Sequence, residues 1–448
     1  MAQFTKASLR AQMQRMKDAF LQRSDLPFSD MLPEDWFERL EAQAGDYRTT
    51  VYTPIVTLQA FVHQVLSSDG SCQEAVMKVW ASRIEEQLPA PSVSTGPYCK
   101  ARHRLPLGLL HEAVQVSGQT PHESAPEAWK WHGYNVKVVD GTTVLLPDTP
   151  ANQGQFPQPR SQKAGVGFPI ARLVAVLSLS SGAVVDYALG AYRGKKTGEL
   201  SLLAQQLDAL SLGDLLLGDR YYCTYALIAQ QQQQRIPVLF ESHAQRKVDF
   251  RRGRRLGAKD HLVEWRKPAK KPVWMSAQAY AALPPTLTVR ELAVGGKVYV
   301  TTLLDAECFS KKALAKLYAL RWVAELDLRT LKADLQMAKL RCQTPEMVRK
   351  EVAVHFLAYN LIRAAMAQAA QRHQRLPREL SFKATLQLLD AMKTQLLDLS
   401  EAALEALLKA IVSTRIGQRK RPAQPRAIKQ RPKPYPRLAV PRKIACQQ

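Results

Sequence analysis

Acidic residues are in short supply. Of 448 residues, 39 are Asp or Glu against 63 Lys or Arg, leaving a formal charge of +24. That excess is far beyond what solubility requires and favours a polyanionic partner, of which nucleic acid is the commonest. It suits a neutral sugar poorly. Cysteine is also sparse. The six (Cys72, Cys99, Cys223, Cys308, Cys342 and Cys446) form no C-x-x-C and no paired Cys/His spacing, which argues against structural zinc and a disulfide framework and reads as reduced thiols in a cytosolic protein. No apolar run approaches the roughly 18 residues of a membrane span, so no membrane partner is expected. The first residues, MAQFTKASLRAQMQRMKDAF, alternate in charge without an apolar core and do not read as a signal peptide.

With 46% hydrophobic residues over this length, the chain is globular and long enough for several domains. Residues 1–128 read as a helical region, with helical periodicity over 56–66 and 74–88. The texture changes at Tyr134. NVKVVDGTTVLL (135–146) is a β-branched strand interrupted at Asp140-Gly141, and 171–192 reads as two strands joined at Ser180-Ser181-Gly182. The Pro-rich stretch 147–169 reads as a loop and 198–210 as an amphipathic helix. Leu215, Leu216 and Leu217 form a short apolar strand of the buried type, with Asp219 just beyond it, and 236–243 is another. The order of elements predicts an α/β fold with a mixed sheet.

Residues 245–305 form a basic, β-rich insertion. Its cations, interleaved with Trp265 and Trp274, are suited to gripping phosphates and stacking a base, or else form a solvated hairpin with two core tryptophans. Leu317 to Leu340 holds no Pro or Gly and predicts one long helix. Its stripe of Leu317, Leu320, Ala324, Leu328, Leu331, Leu335 and Ala338 should be buried. Beside that stripe, Tyr318, Arg321, Glu325, Arg329, Lys332 and Lys339 share one face, while Asp327 and Asp334 point away. One carboxylate in a rail of cations suits a group that holds a metal near a polyanion, although Arg321–Glu325 and Glu325–Arg329 are also ordinary i, i+4 pairs. Helices follow over 346–370 and 384–412. The Arg/Lys/Pro tail 415–443 reads as a flexible phosphate-binding segment.

Asp140 and Asp219, at neighbouring strand ends, can converge on metal with a Glu from a helix laid over the sheet. Each has an ordinary alternative, an Asp-Gly turn for Asp140 and a helix N-cap for Asp219.

Asp140 in VVDGTT, Asp219 in LLGDRYY, and Tyr318, Arg321, Glu325 and Lys332 at Y-x2-R-x3-E-x6-K spacing resemble the DDE transposases of the insertion-sequence-four family. GKKTGE (194–199), SCQEAV (71–76) and PYCKAR (97–102) add to the match. The resemblance, over about residues 50–365, implies a ribonuclease H-like catalytic core, in two parts (129–244 and 306–375) around the 245–305 insertion, with a helical N-terminal region and a C-terminal region (376–448). It implies a metal-binding catalytic triad of Asp140, Asp219 and Glu325 using two Mg2+ ions, with Mn2+ able to substitute. Tyr318, Arg321 and Lys332 would contact phosphates at the element end. Arg329 and Lys339 share their face; related enzymes capture a flipped base with a tryptophan of the insertion, but neither Trp265 nor Trp274 lies in a matching motif. The implied activity is cut-and-paste transposition, with metal-dependent cleavage of element ends, commonly through a hairpin, and strand transfer into target. The implied partners are double-stranded DNA at element ends and target and a second copy of the chain, in a bacterial cytoplasm at the nucleoid. A nuclease on the same core without strand transfer, or a non-enzymatic DNA-binding protein, are the alternatives.

Overall fold

The computed structural model describes residues 32–44, 51–391 apart from 86, 90, 162 and 164, 401–416, and single residues 440 and 444. Most of the basic tail expected over 415–443 therefore lies outside the described residues.

Among the described residues five helices come first: α1 (Glu34–Gln43), α2 (Pro54–Leu66), α3 (Cys72–Glu85), α4 (Gly96–Arg104) and α5 (Leu107–Glu123). The periodic stretches at 56–66 and 74–88 lie within or across α2 and α3. Thr53 caps α2 by accepting from the Val56 amide, with Pro54 at the first helical position. The chain then enters β1 (Asn135–Leu145), makes a short helix α6 (Pro150–Gln155) in the Pro-rich stretch, and returns as β2 (Ile170–Ser178) and β3 (Val184–Ala191). Next come α7 (Glu199–Leu203), β4 (Asp214–Gly218), α8 (Tyr225–Gln233) and β5 (Val238–Glu241). The basic stretch supplies β6 (Arg254–Gly257), β7 (Asp260–Arg266), α9 (Ala277–Ala281), β8 (Thr286–Val294) and β9 (Lys297–Thr301). Four more helices follow: α10 (Lys311–Ala319), α11 (Trp322–Ala333), α12 (Pro345–Arg372) and α13 (Phe382–Ala391); α14 (Glu401–Ser413) comes after an undescribed segment.

The nine strands among the described residues form one mixed sheet, in the order β3-β2-β1-β4-β5-β9-β8-β7-β6. β1 runs antiparallel to β2 and parallel to β4, and β4 runs parallel to β5. The strands of the basic stretch extend this sheet, because β9 pairs antiparallel with β5. At the β8–β9 turn Gly295 and Gly296 take φ of 59° and 79°, a left-handed pair that glycine adopts without strain.

The sheet divides the core into two layers. Val136, Val138 and Val144 of β1 pack with α5, α11 and α12, whereas Val139 packs with α7 and α8 on the other face. This is the period-2 alternation of a strand buried on both sides. Helix α12 is the spine of the first layer: its buried Asn360 accepts from the Val184 amide at 2.8 Å and donates to the Val114 and Val184 carbonyls, tying α5 and β3 to it. Helix α5 lies so close to β3 that a Cβ on Gly118 would fall 1.9 Å from the Val184 carbonyl oxygen.

Three local expectations are corrected here. Residues 198–210 hold only the five-residue α7 and then turns with a single 3-10 segment at Leu207–Ala209. Asp140 does not interrupt or end a strand, since β1 pairs continuously with β2 from Lys137 to Leu145. The stretch 317–340 is two helices rather than one. The break falls at Leu320 and Arg321, where the amides of Leu320, Arg321 and Val323 bond the carbonyls three residues back. No breaker residue causes it. Leu317 and Tyr318 of α10 are buried beside β5 and β8, while Ala324, Leu328 and Leu331 of α11 are buried against β1, and a tight turn lets each helix seat its own surface. The stripe is therefore incomplete: Leu320 is 47% exposed. Beyond Ala333 the chain leaves the helix through turns, with Lys339 bridged to Leu145 at the end of β1, so Lys339 does not share a helix face with Glu325.

Candidate active site

Asp140 sits in the middle of β1, where its Oδ1 accepts from the Gly141 amide at 2.9 Å. The parallel register pairs Val138 with Leu217, so two residues on, Asp140 and Asp219 stand level as β4 ends. Asp219 Oδ1 accepts from the Tyr221 amide at 2.8 Å. It is not a helix cap, because α8 begins at Tyr225 with Thr224 in the cap position. Nor is Asp140-Gly141 a turn. The ordinary alternatives for both aspartates are thereby removed.

Glu325 arrives from the first turn of α11. Arg321, at the cap of that helix, donates to Glu325 Oε1 at 2.6 Å and stands 3.9 Å from Asp140 Oδ2. The guanidinium links the strand carboxylate to the helix carboxylate. Lys332, two turns along α11, donates to Thr142 at 3.1 Å, on the same face of β1 as Asp140. The turn before Arg321 is what puts this edge of α11 over β1.

Asp140 is pushed up to about 6, first by burial; the Gly141 amide and Arg321 pull it back, and the charges of Glu325 and Asp219 add to the rise. The three carboxylates of the triad are thus electrostatically one site. Among the described residues no group of three or more His, Cys, Asp or Glu side chains is drawn together closely enough to hold a metal ion; Arg321 supplies the cation between Asp140 and Glu325.

A further acid belongs to this neighbourhood. Glu199 opens α7, and a Cβ on Gly141 would lie 2.9 Å from its carboxyl carbon. Burial first, then Asp219, push Glu199 upward. The segment GKKTGE stood out in the sequence, but nothing in it marked Glu199 as a site residue, because the contact is made across the sheet.

The other sequence-predicted residues are placed less uniformly. Tyr318 is buried on α10, and its hydroxyl donates to Glu241 of β5 at 3.3 Å. Arg329 is exposed on α11, and Lys339 is exposed beyond the turns that follow it. Trp265 is 3% exposed, donates to Glu291 at 2.9 Å and carries the Arg246 guanidinium 3.4 Å above its ring. Trp274 is half-buried against the same core layer. In this structure both tryptophans are packed into the protein. The exposed rings beside the carboxylates are Tyr221 and Trp322, at 63% and 58%, which the sequence reading passed over because each lies next to a more conspicuous charged residue.

The family model described as a transposase DDE domain matches residues 131–361, a span that contains all three triad carboxylates. The chain belongs to the DDE transposases. Membership makes it a DNA transposase, a class whose chemistry is the breaking and joining of phosphodiester bonds. This transposase is 28% identical over 427 residues to the transposase InsG for insertion sequence element IS4 of Escherichia coli (strain K12), covering 91% of this chain and 92% of that one. The likeness to the insertion-sequence-four group seen in the Tyr318–Lys332 spacing therefore extends along nearly the whole transposase. Among solved structures, a cryo-EM structure of the piggyBac transposase synaptic complex with hairpin DNA superposes with a TM-score of 0.44 at 9% identity, covering 89% of this chain and 84% of that one. No helix among the described residues is long and apolar enough to cross a membrane.

Proposed function

We propose that the transposase excises its element by cutting DNA at both ends and joins the freed 3′ ends to target DNA, with Asp140, Asp219 and Glu325 as the metal-holding catalytic carboxylates. The observation that carries this reading is the bridge from Asp140 through Arg321 to Glu325, with Asp219 level on the adjoining strand. A carboxylate raised to about 6 by burial and two like charges is a site that gains from a divalent cation, and an all-oxygen donor set suits Mg2+ or Mn2+. Bound there, such ions would neutralise charge on the scissile phosphate and lower the pKa of the attacking water or hydroxyl.

The chain's own residues do the rest. Asp140 is held by the sheet and so presents a fixed oxygen; Glu325 enters on α11, whose seating on β1 sets its approach. Arg321 is the cation already poised at the carboxylates. It exchanges its carboxylate contacts for a phosphate oxygen when DNA arrives, and Lys332, two turns away, fixes the next stretch of backbone. The first five strands, with β2 antiparallel among parallel neighbours, are read as a ribonuclease H-like core. The N-terminal region before β1 recognises element ends, and the exposed cations of 245–305, Arg251, Arg252, Arg254 and Arg255 among them, grip phosphates without reading sequence. Two copies act together, one on each end.

The test is a plasmid carrying the gene with its natural flanks, incubated with the full chain and Mg2+ or Mn2+. Metal-dependent release of the element and its appearance in a second plasmid are expected. Release without joining would leave a nuclease on the same core. Full cleavage by Asp140→Ala, Asp219→Ala and Glu325→Ala alike would refute the triad.

A further inference from the structure

We infer that the loop between β3 and α7, through Arg193, Lys195 and Lys196, docks the target duplex on the face of the sheet opposite the cation rail of α11. The inference rests on the strand-transfer reading proposed above and gives its second DNA a place.

Topology brings this loop to the carboxylates. β1 and β3 both run antiparallel to β2, and β4 runs parallel to β1, so the chain leaves β3 at the same end of the sheet at which Asp219 leaves β4. Residues 192–198 then lead to Glu199, whose carboxyl carbon would lie 2.9 Å from a Cβ on Gly141. β3 stands two strands from β1, roughly 10 Å across the sheet, a distance that one major groove spans. Past the register pair Val138–Leu217, β1 has no strand beside it on the β4 side, among the described residues, until Leu145. A polyanion at this open edge meets both faces: Asp140, Thr142 and α11 on one, Gly141 and Glu199 on the other.

Charge decides what sits there. Arg193, Lys195 and Lys196 are exposed, and among the described residues none of them has an ion pair or a side-chain hydrogen bond. Arg172 beneath them is engaged: it donates to the Thr197 carbonyl at 2.8 Å and lies 4.9 Å from the centre of the Tyr192 ring. One guanidinium thus pins both ends of the loop. Lys196 is held at a φ of 58°, a left-handed conformation uncommon outside glycine. The result is a fixed turn carrying three uncompensated cations. With no amide side chain among them to read base edges, they suit DNA held by its backbone alone. An element end has to be told from other DNA, whereas a target duplex can be gripped through phosphate.

The experiment adds a supercoiled target plasmid to the donor plasmid described above, and scores excised element and joined product in one reaction. The variant is the full chain with Arg193→Gln, Lys195→Gln and Lys196→Asn, the last because asparagine accepts the left-handed backbone. It should excise at the wild-type rate and join about tenfold less of the excised element, and with target limiting the slope of log joining against log salt should flatten by about 2–3. Lys195→Gln alone, at an ordinary backbone position, should flatten it by about 1, so the test does not depend on the folding of the triple variant. Lys195→Arg with Lys196→Arg keeps the charge and should join normally. Excision and joining that fall together in Lys195→Gln would place the element end on the loop and overturn the inference. Joining with an unchanged salt slope in both variants would leave the loop a solvated surface and overturn it too. A wild-type chain that excises and joins nothing refutes strand transfer itself, and this inference with it.

Discussion

The guanidinium of Arg321 stands 3.9 Å from the carboxylate of Asp140, so a residue at a helix cap and one in the middle of a strand share one electrostatic site. Their contact is kept although Asp140 is mostly withdrawn from water and titrates near about 6 instead of 3.8. Because its folded pKa is raised, ionised Asp140 weakens the fold of the metal-free protein at neutral pH. The penalty is absent below about pH 3.8 and grows to its full size above about pH 6. Asp140→Asn should therefore stabilise the metal-free chain at pH 7 by about 1–3 kcal/mol, measured by urea unfolding, while abolishing end cleavage. An unchanged or lower midpoint would show that Arg321 already compensates the charge in full.

Buried histidines act in the opposite sense. His122 bonds Asp214 at 2.9 Å and Ser178 at 3.0 Å, and burial lowers its pKa; His355 is lowered by burial as well. Below about pH 6.5 the unfolded chain takes up protons on these rings that the folded chain refuses. Their stabilising effect is present above that pH and is lost as the pH falls. Asp214, lowered by His122 and Lys137 against its own burial, continues the loss further down. Thermal melts from pH 7.5 to 5 should show a falling midpoint, and His122→Gln should flatten the curve.

Asp327 is the acid on the wrong side of α11 for catalysis. It is 2% exposed and accepts from Arg363 at 2.5 Å and from Arg378 at 2.6 Å, while Arg378 also donates to the Leu179 carbonyl at 2.8 Å. This network fastens α11, and with it Glu325, to α12 and the β2–β3 turn. Removing the acid leaves two cations uncompensated, so Asp327→Ala should cost about 3–5 kcal/mol in urea unfolding. A loss below about 1 kcal/mol would mean that water reaches both arginines.

Lys332 and Lys339 separate the reach of the cation rail. Lys332 bonds Thr142 next to the carboxylates; Lys339 lies past the end of α11 beside Leu145. If both meet phosphate, replacing either by Ala should lower the slope of log affinity against log salt by about 1 for duplex containing the element end. A slope changed by Lys332→Ala and untouched by Lys339→Ala would confine the rail to the helix.

Much of this transposase is determined by local sequence. The β-branched run of β1, the triple leucine of β4 and the periodicity of α2, α3 and α12 each encode their element, because burial period and propensity act over a few residues. Spacing also singled out Asp140, Asp219 and Glu325 together with Arg321 and Lys332. Only the tertiary structure decided how those residues meet. It broke the 317–340 stretch at Arg321, since two surfaces of the sheet had to be covered and no local residue signals that demand. It left Trp265 packed under Arg246, because β7 places the ring in the layer that α8 and β8 close. And it set Glu199 in the space that Gly141 leaves open, a contact between residues 58 positions apart in the chain that exists only once α7 is docked on the sheet.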